Sequence, residues 1–470
     1  MKNISKFQNI ASLRIDRIEI TNDTLTSRAG LTPFVRYLDS INIYPKLEEL
    51  FKSIRKNKKS NKISAIFKQL FCFLADGTSR HISRFDELKK DEGYAAGIEC
   101  SMNDMLSSHS VKRFYRKFYH FHYFKFRELL QMLFIWRLQI EQPGIIILGM
   151  DTMVMDNNDA QQRHGVKPTY KKVKGFQPLQ LNWRGFMIDA VFRSGDKHSN
   201  HSDTVSKMIE HIVRQIRKHY STEVPILLRC DSGFFDQELF ELYEKNLGIG
   251  FICSGKLYAD TKEYVQGVPG EFWPEKLEDN SSEWSYLEFG DCRKSWDRYR
   301  RAFFCTLNIE DGRYLFDFAK PDSIIYTNIG LGDDIDRQLI EAGHEEMLEA
   351  TSLIRCYHNR GNDELVNRAV KDFSSEILPF KRFNMNAAHY YIMLTAFFLL
   401  EAFKQDTCES IIPMTAYSTT IRRRLFDTAG KIVRHSGEIV LKVTTAVMES
   451  LRLDILWLRC NNPPLQFSWV

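Results

Sequence analysis

Two short apolar runs, each closed by an aspartate, limit what this chain can fold into. Residues 144–155 read GIIILGMDTMVM with Asp151 as their one acid, and residues 224–230 read VPILLRC and are followed by Asp231. Runs of this composition are typical of strands that are buried on both faces of a sheet. A carboxylate is costly there unless a cation or hydrogen bonds compensate its charge. We therefore expect Asp151 and Asp231 at the edge of a sheet; the alternative for either residue is a simple turn-capping role.

The segments around these runs predict an α/β core. In chain order the patterns indicate two hairpin strands, an amphipathic helix capped by Ser202 or Asp203, a second helix and a last strand: residues 174–181, 185–193, 203–220, 236–247 and 249–253. The resulting order is three strands, helix, strand, helix, strand, with the acids on the first and fourth strands. This order resembles the RNase H-like mixed sheet, in which those two strands are neighbours and their carboxylates converge.

A third segment, residues 354–373, carries an unusual set of side chains. On one continuous helix, four of them would share a sector roughly 60° wide: Tyr357, Arg360, Glu364 and Lys371. Cations suit phosphate oxygens, a carboxylate suits a metal ion and an aromatic ring suits a base. Two alternatives remain open. The segment could be an ordinary charged, solvated helix, or the helix could begin at Asn362 or Asp363, because Gly361 costs about 1 kcal/mol inside a helix.

The spacing of these four residues resembles the YREK signature of the cut-and-paste DDE transposases of bacterial insertion sequences. Three further motifs are similar to strand motifs of that family: DT at 151–152, KGFQPL at 174–179 and CDSGF at 230–234. The resemblance covers roughly residues 75–440. It implies that Asp151, Asp231 and Glu364 form the catalytic, metal-binding triad.

The resemblance also implies a mechanism. The three carboxylates would bind two Mg²⁺ ions, for which Mn²⁺ could substitute, about 3.5–4 Å apart. Water would attack at the element's end and free a 3′-OH, which would then attack target DNA. Arg360 and Lys371 would hold phosphates, and Tyr357 would contact the distorted backbone or an unstacked base. The implied partners are double-stranded DNA, as terminal inverted repeats and as target, and a second copy of the chain in a homodimer.

Changes of pattern along the chain predict five regions. These are a helical DNA-end-binding region, the first part of the RNase H-like core, a β-rich insertion, the part of the core that carries the YREK helix, and a C-terminal extension: 1–143, 144–255, 256–335, 336–404 and 405–470. Within the insertion, strands are predicted at 284–289, 299–307, 314–318 and 323–328. Related transposases hold a flipped base on an insertion aromatic, for which the candidates are Trp273, Trp284 and Trp296, although most Trp side chains serve packing.

Basic side chains cluster at three places before and after the core. Residues 101–121 resemble a helix-turn-helix element, and Arg113, Arg116 and Lys117 are predicted DNA contacts. The alternative there is a core-facing aromatic stripe with solvated basic flanks. Residues 52–62 and 421–434 are also rich in Lys and Arg, which fits either a nucleic-acid partner or a solvated surface.

Composition excludes several other classes. The nine Cys form no CxxC pair, which argues against a disulfide framework and a structural zinc site. His198 and His201 are three residues apart but have no third ligand nearby in sequence. No apolar run reaches the length of a membrane span, and the N-terminus lacks the features of a signal peptide. We expect a chain that stays in the bacterial cytoplasm at the nucleoid.

Three rival functions remain at this point. An RNase H-like nuclease or resolvase would share the acids but carry out no strand transfer. A catalytically silent DNA-binding protein would not need Asp151, Asp231 and Glu364 to be intact. A two-carboxylate glycosidase would leave the basic patches unexplained.

Overall fold

The computed structural model describes residues 15–55, 61–273, 277–279, 282–308 and 322–468. The predicted strand at 314–318 and residues 56–60 of the basic stretch 52–62 lie outside the described residues.

The N-terminal region is helical, as predicted, apart from one short strand. Strand β1 (Thr24–Thr26) is followed by seven helices: α1 (Leu31–Ser40), α2 (Ile43–Phe51), α3 (Ile63–Asp76), α4 (Phe85–Leu88), α5 (Glu92–Gly97), α6 (Ser108–Tyr115) and α7 (Phe121–Glu141). The continuous helical pattern over 31–51 is interrupted at Asn42, which adopts a left-handed conformation between α1 and α2. Aromatic side chains such as Phe51, Phe67 and Phe126 pack these helices together.

The central part of the chain forms the predicted order of strands and helices. Its elements are β2 (Ile146–Thr152), β3 (Met155–Asp156), β4 (Lys167–Pro168), β5 (Lys174–Phe176), β6 (Leu179–Trp183), β7 (Phe186–Val191), α8 (Thr204–His219), β8 (Ile226–Cys230), α9 (Gln237–Glu241) and β9 (Gly250–Ser254). Strands β7, β6, β2, β8 and β9 are adjacent in that order, with β2, β8 and β9 parallel and the β2–β6–β7 hairpins antiparallel. This is the RNase H-like arrangement, so the predicted fold class is confirmed. Strands β3, β5 and β4 form a separate small sheet.

The strands of residues 256–335 extend the same sheet beyond β9. After α10 (Ala259–Gly267) come β10 (Leu277–Asp279), β11 (Ser282–Asp291), β12 (Arg300–Leu307) and β13 (Ser323–Thr327), and β13 pairs antiparallel with β9. The complete sheet therefore has nine strands among the described residues. Helices α11 (Asp334–Glu341), α12 (Ala350–His358), α13 (Gly361–Phe373) and α14 (Phe383–Thr407) follow.

Alternate residues of the central strands face two different helical layers. In β8, Ile226 and Leu228 join the large core that α7, α8 and α14 cover, whereas Leu227 joins a second cluster with residues of α11 and α12. Because side chains alternate between the faces of a strand, both faces of the sheet are buried. Helix α14 is buried along almost its whole length, as its apolar sequence predicts.

The proposed single helix over 354–373 is wrong, and the alternative of a later start is closer. The segment forms two helices, α12 and α13, with Asn359 and Arg360 between them. The amides of Arg360 and Asp363 bond to carbonyls three residues back instead of four, which tightens the chain around Gly361. Tyr357 therefore belongs to α12, whereas Glu364 and Lys371 belong to α13.

The C-terminal extension packs against the N-terminal region. It contains α15 (Ser418–Ile421), β14 (Gly430–His435), β15 (Glu438–Lys442), α16 (Thr445–Ser450) and α17 (Leu453–Asn461). Strand β14 pairs with both β1 and β15, so residues from the two ends of the chain share one three-stranded sheet. Among the described helices, none has the length and apolar character needed to cross a bilayer.

Arg422, in the predicted basic patch 421–434, is a buried structural residue. Its guanidinium donates to the carbonyls of Leu74 and Ala75 at the end of α3, and to those of Asp372 and Phe373 at the end of α13. The last carbonyls of a helix have no partner within the helix, so one side chain here satisfies two helix ends. Arg423 and Arg424, by contrast, are exposed.

We predict that Arg422→Ala lowers the free energy of unfolding by about 3 kcal/mol or more, because several buried carbonyls lose their donors at once. Arg422→Lys should recover little of this loss, because an ammonium cannot reproduce the planar fork of donors. Urea unfolding followed by circular dichroism measures both values. Arg423→Ala is the matched control and should stay close to wild type; equal losses for Arg422→Ala and Arg423→Ala would contradict the assignment.

Candidate active site

Asp151 and Asp231 lie at the carboxyl ends of two neighbouring parallel strands. In the register of β2 and β8, Met150 is opposite Cys230, so the next residue on each strand is the aspartate. The Thr152 amide donates to Oδ1 of Asp151 at 2.7 Å, and the Gly233 amide donates to Oδ1 of Asp231 at 2.8 Å. The structure thus brings together the two acids that the sequence placed on separate strands.

Both acids belong to the sheet face that α13 covers. Gly149 and Arg229 are paired two positions earlier in the register, and side chains two positions apart share a face. Arg229 makes a bidentate ion pair with Asp363 of α13, with N–O distances of 2.9 and 3.0 Å, and also donates to the Cys356 carbonyl of α12. This buried pair fastens the helix that carries Glu364 directly onto the strand that carries Asp231.

Gly149 makes room for the same contact. A Cβ atom at this position would lie 2.5 Å from the carboxyl group of Asp363, a distance that real contacts do not show. The glycine in the apolar run of β2 is therefore required by the close approach of α13 to the sheet.

Two further hydrogen bonds place α13 relative to the acids. Asn367, three residues after Glu364, donates its amide to Oδ2 of Asp151 at 2.8 Å. Arg360 donates to Glu364 at 3.4 Å, and the Glu364 side chain is 53% exposed, so this carboxylate is accessible to a ligand. Arg229, Asp363 and Asn367 were not among the site residues predicted from the sequence. The features that could have indicated them are the arginine two residues before Asp231 and the polar residues beside Glu364.

The electrostatics show that these groups act on one another. Burial, and after it the charges of Asp231 and Glu364, raise the pKa of Asp151 to about 6, although the Thr152 amide and Arg360 oppose the rise. Burial opposes the charge on Arg360, but Tyr357, Asp231, Asp151 and Glu364 together raise the pKa of this guanidinium. One cation therefore lies among three carboxylates.

The donor set fits a divalent cation. Carboxylate oxygens are the ligands that Mg²⁺ prefers, and a cation would offset the burial and, after it, the repulsion that raise the pKa of Asp151. Within the described ranges, however, no three His, Cys, Asp or Glu side chains already form a metal-binding group. Glu364 pairs with Arg360 instead, and it would have to exchange this partner for the ion.

The other predicted DNA contacts are distributed more widely. The half-buried Tyr357 has a raised pKa because of burial, and it hydrogen-bonds with Ser254. Lys371 pairs with Glu376 at 2.9 Å, two turns beyond Glu364. Neither interaction tests the predicted contact with DNA, which stays a prediction.

The basic residues predicted in α6 and directly after it make their hydrogen bonds away from the acids. Arg113, Arg116 and Lys117 are exposed, Arg113 reaches Ser110, and Lys117 donates to the carbonyl of Ile54. Val111, Phe114 and Tyr115 of the same helix are buried, so its apolar side faces the core and its basic side faces solvent.

The insertion tryptophans and the histidine pair have separate settings. Trp296 is buried against Phe235 and Tyr326, and Trp273 contacts Phe304. Trp284 packs against His358, next to Tyr357, with ring centroids 4.5 Å apart. The rings of His198 and His201 contact each other at 5.3 Å in the loop before α8.

The strand order defines an RNase H-like protein, with Asp151 and Asp231 at the carboxyl ends of neighbouring strands and Glu364 on helix α13. The family model described as transposase DDE domain group 1 matches residues 11–458, and the chain belongs to that family. No curated protein sequence is similar enough to count as a match.

One solved structure that resembles this chain is the cryo-EM structure of a piggyBac transposase synaptic complex with hairpin DNA. The sequence identity is 12%, the match covers 86% of this chain and 82% of that chain, and the TM-score is 0.37.

We predict that Arg229→Ala lowers the free energy of unfolding by about 3–5 kcal/mol, because it leaves Asp363 buried without its partner. Gly149→Ala should act through the same pair, by pushing the Asp363 carboxyl away from Arg229. Thermal unfolding of the purified chain measures both. Arg337→Ala removes an exposed pair with Glu341 and should cost less than about 1 kcal/mol. If Arg337→Ala lowered the free energy of unfolding as much as Arg229→Ala, or more, the assignment would be contradicted.

The raised pKa of Asp151 predicts a stability that depends on pH. The folded chain binds a proton at Asp151 more readily than the unfolded chain, so stability is lost as the pH rises from the ordinary value of 3.8 through about 6. The cost of the ionised carboxylate is complete in the metal-free protein above that range and absent below it. Asp151→Asn should therefore stabilise the metal-free chain by about 2 kcal/mol near pH 8 and by about half as much near pH 5.

Melting temperatures in EDTA and in Mg²⁺ at both pH values measure this effect. Added Mg²⁺ should raise the melting temperature of the wild type at the higher pH and leave Asp151→Asn unchanged. A wild type and variant with the same melting temperature at both pH values would show that Asp151 carries no such strain.

Proposed function

We propose that this transposase cleaves DNA at the ends of an insertion sequence of the YREK type and joins the freed 3′-OH ends to target DNA. The observation that carries the proposal is the convergence of Asp151, Asp231 and the helix of Glu364 on one sheet face. Three carboxylates on rigid elements suit phosphoryl transfer, in which the protein chiefly positions the groups and stabilises charge. No protein nucleophile is needed, so Ser232 beside Asp231 has a structural role.

In this proposal Asp151, Asp231 and Glu364 hold the divalent cations, with Mg²⁺ as the natural choice and Mn²⁺ as a substitute. Bound there, the cations would supply an activated attacking oxygen and a stabilised leaving oxygen. The family and the oxygen-only donor set support this assignment.

The remaining side chains orient the site. Asn367 and the Thr152 amide each bind one oxygen of Asp151 and so fix the direction of its carboxylate. Arg360 lies in the field of all three acids, and a cation held by Glu364 would take the place of this arginine as partner of the carboxylate. The donors of Arg360 would then be available to a phosphate of the cleaved strand. Lys371 and the exposed basic side of α6 are further candidate phosphate contacts. The substrate is double-stranded DNA, and we propose a homodimer because two ends must be cut together.

The test is cleavage of DNA that carries the inverted repeats flanking this gene, with Mg²⁺ or Mn²⁺, by the wild type, Asp231→Ala and Glu364→Gln. We expect nicks at the 3′ ends followed by joining to a target plasmid, and a loss of at least about a hundredfold in both variants. Asp334→Asn removes an exposed carboxylate of α11 and is the matched control.

Each alternative outcome points to a different function. Cleavage without joining would indicate a nuclease or resolvase, and binding of the repeats without cleavage would indicate a silent DNA-binding protein. Full activity of Asp231→Ala would refute the assigned site.

A further inference from the structure

A short hairpin belongs to the segment that leaves the sheet at Asp151, and it has no role in the site described so far. Strand β2 ends at Thr152 and β6 begins at Leu179, and these two residues are paired in the central sheet. Everything between them, including β4 and β5, therefore rises from the sheet edge that carries Asp151. The hairpin pairs Lys167 with Gly175, and its tip at Lys172 has a left-handed backbone.

The hairpin is positively charged, whereas the site carries three acids. The sequence has no Asp or Glu between Asp159 and Asp189. Lys167, Lys171 and Lys172 are exposed and form no ion pair among the described residues. Lys167 lies in the field of Asp196, because the Ser194 hydroxyl and, more weakly, Lys197 and Lys167 lower the pKa of that carboxyl. Unpaired cations beside a cluster of carboxylates offset the repulsion that an approaching DNA phosphate would otherwise meet.

The hairpin also carries an aromatic ring near the acids. Tyr170 exposes 61% of its surface, and the Lys171 ammonium lies 5.8 Å from the centre of its ring. Partial burial, and then the charges of Asp151, Asp231 and Glu364, raise the pKa of Tyr170, which shows that its hydroxyl lies within the field of all three acids. Tyr357, in contrast, is half-buried and bonded to Ser254. Tyr170 is thus the more accessible aromatic side chain beside the acids.

We propose that the β4–β5 hairpin grips the DNA strand that is being cut, with Lys167 and Lys171 on its phosphates and Tyr170 stacked on an unpaired base. An exposed ring between cations is the combination that binds single-stranded nucleic acid independently of sequence. This inference rests on the proposed function, because it assigns the DNA at that same site.

The phosphate contacts can be tested without cleavage. We would measure the binding of a short fluorescein-labelled duplex that ends in the flanking repeat to the full Asp231→Ala chain in EDTA, across a range of salt concentrations. Lys167→Ala with Lys171→Ala should reduce the slope of log affinity against log salt by about two. Lys218→Ala with Lys262→Ala removes two exposed lysines of α8 and α10 and should leave the slope unchanged.

The stacking contact needs a separate readout. With 2-aminopurine at the terminal base of the same DNA, binding should quench its fluorescence in the Asp231→Ala chain. Adding Tyr170→Ala should abolish the quenching and weaken binding by roughly tenfold. Tyr170→Phe keeps the ring and should quench and bind DNA like the chain with Tyr170. If the hydroxyl had a structural role instead, both Tyr170→Ala and Tyr170→Phe would lose quenching and binding.

Equal salt slopes for the hairpin pair and the control pair, or unchanged quenching in Tyr170→Ala, would overturn the inference. A Tyr170→Phe variant as defective as Tyr170→Ala would also overturn it. A wild type that binds and quenches but never cleaves with Mg²⁺ would refute the proposed function while supporting the grip of the hairpin, so the two failures are distinguishable.

Discussion

The buried pair between Arg229 and Asp363 is the contact on which the arrangement of the acids depends. Asp231 follows Arg229 by two residues and Glu364 follows Asp363 by one, so a single bidentate ion pair fixes the strand that carries one acid against the helix that carries another. A buried ion pair gains little stability compared with apolar packing, but it accepts only one geometry. That geometry determines how close Glu364 comes to the two aspartates.

The site concentrates negative charge and surrounds it with positive charge. Asp151 has a raised pKa, Arg360 lies in the field of the three acids, and the β4–β5 hairpin, whose segment leaves the sheet at Asp151, carries exposed lysines. Burial, and after it the neighbouring acids, therefore make the charge on Asp151 costly in the free chain. A site of this kind gains stability when metal and DNA bind, instead of in the free chain.

Features that depend on local sequence patterns could be predicted, whereas contacts between residues far apart in the sequence could not. Asp151 and Asp231 could be recognised because each follows an apolar run, and the resemblance to the RNase H-like sheet implied that their strands are neighbours. The break at Arg360 was only an alternative, because a glycine lowers helix propensity without deciding it. Arg229 and Asp363 are separated by 134 residues, and the sequence around either residue does not indicate that the other is its partner. Likewise, Arg422 looked like part of a DNA-binding patch until its four carbonyl partners were visible.

The contacts of Arg422 have a consequence for the order in which the chain can be completed. Arg422 and its partner Ala75 are separated by 347 residues, and strand β1 likewise pairs with β14, near the other end of the chain. Contacts between such distant residues form late, because a long loop must close first. A ribosome must therefore release most of the chain before the helix of Glu364 receives its final support. Emerging or prematurely terminated chains thus lack the hydrogen bonds from Arg422 to the end of this helix.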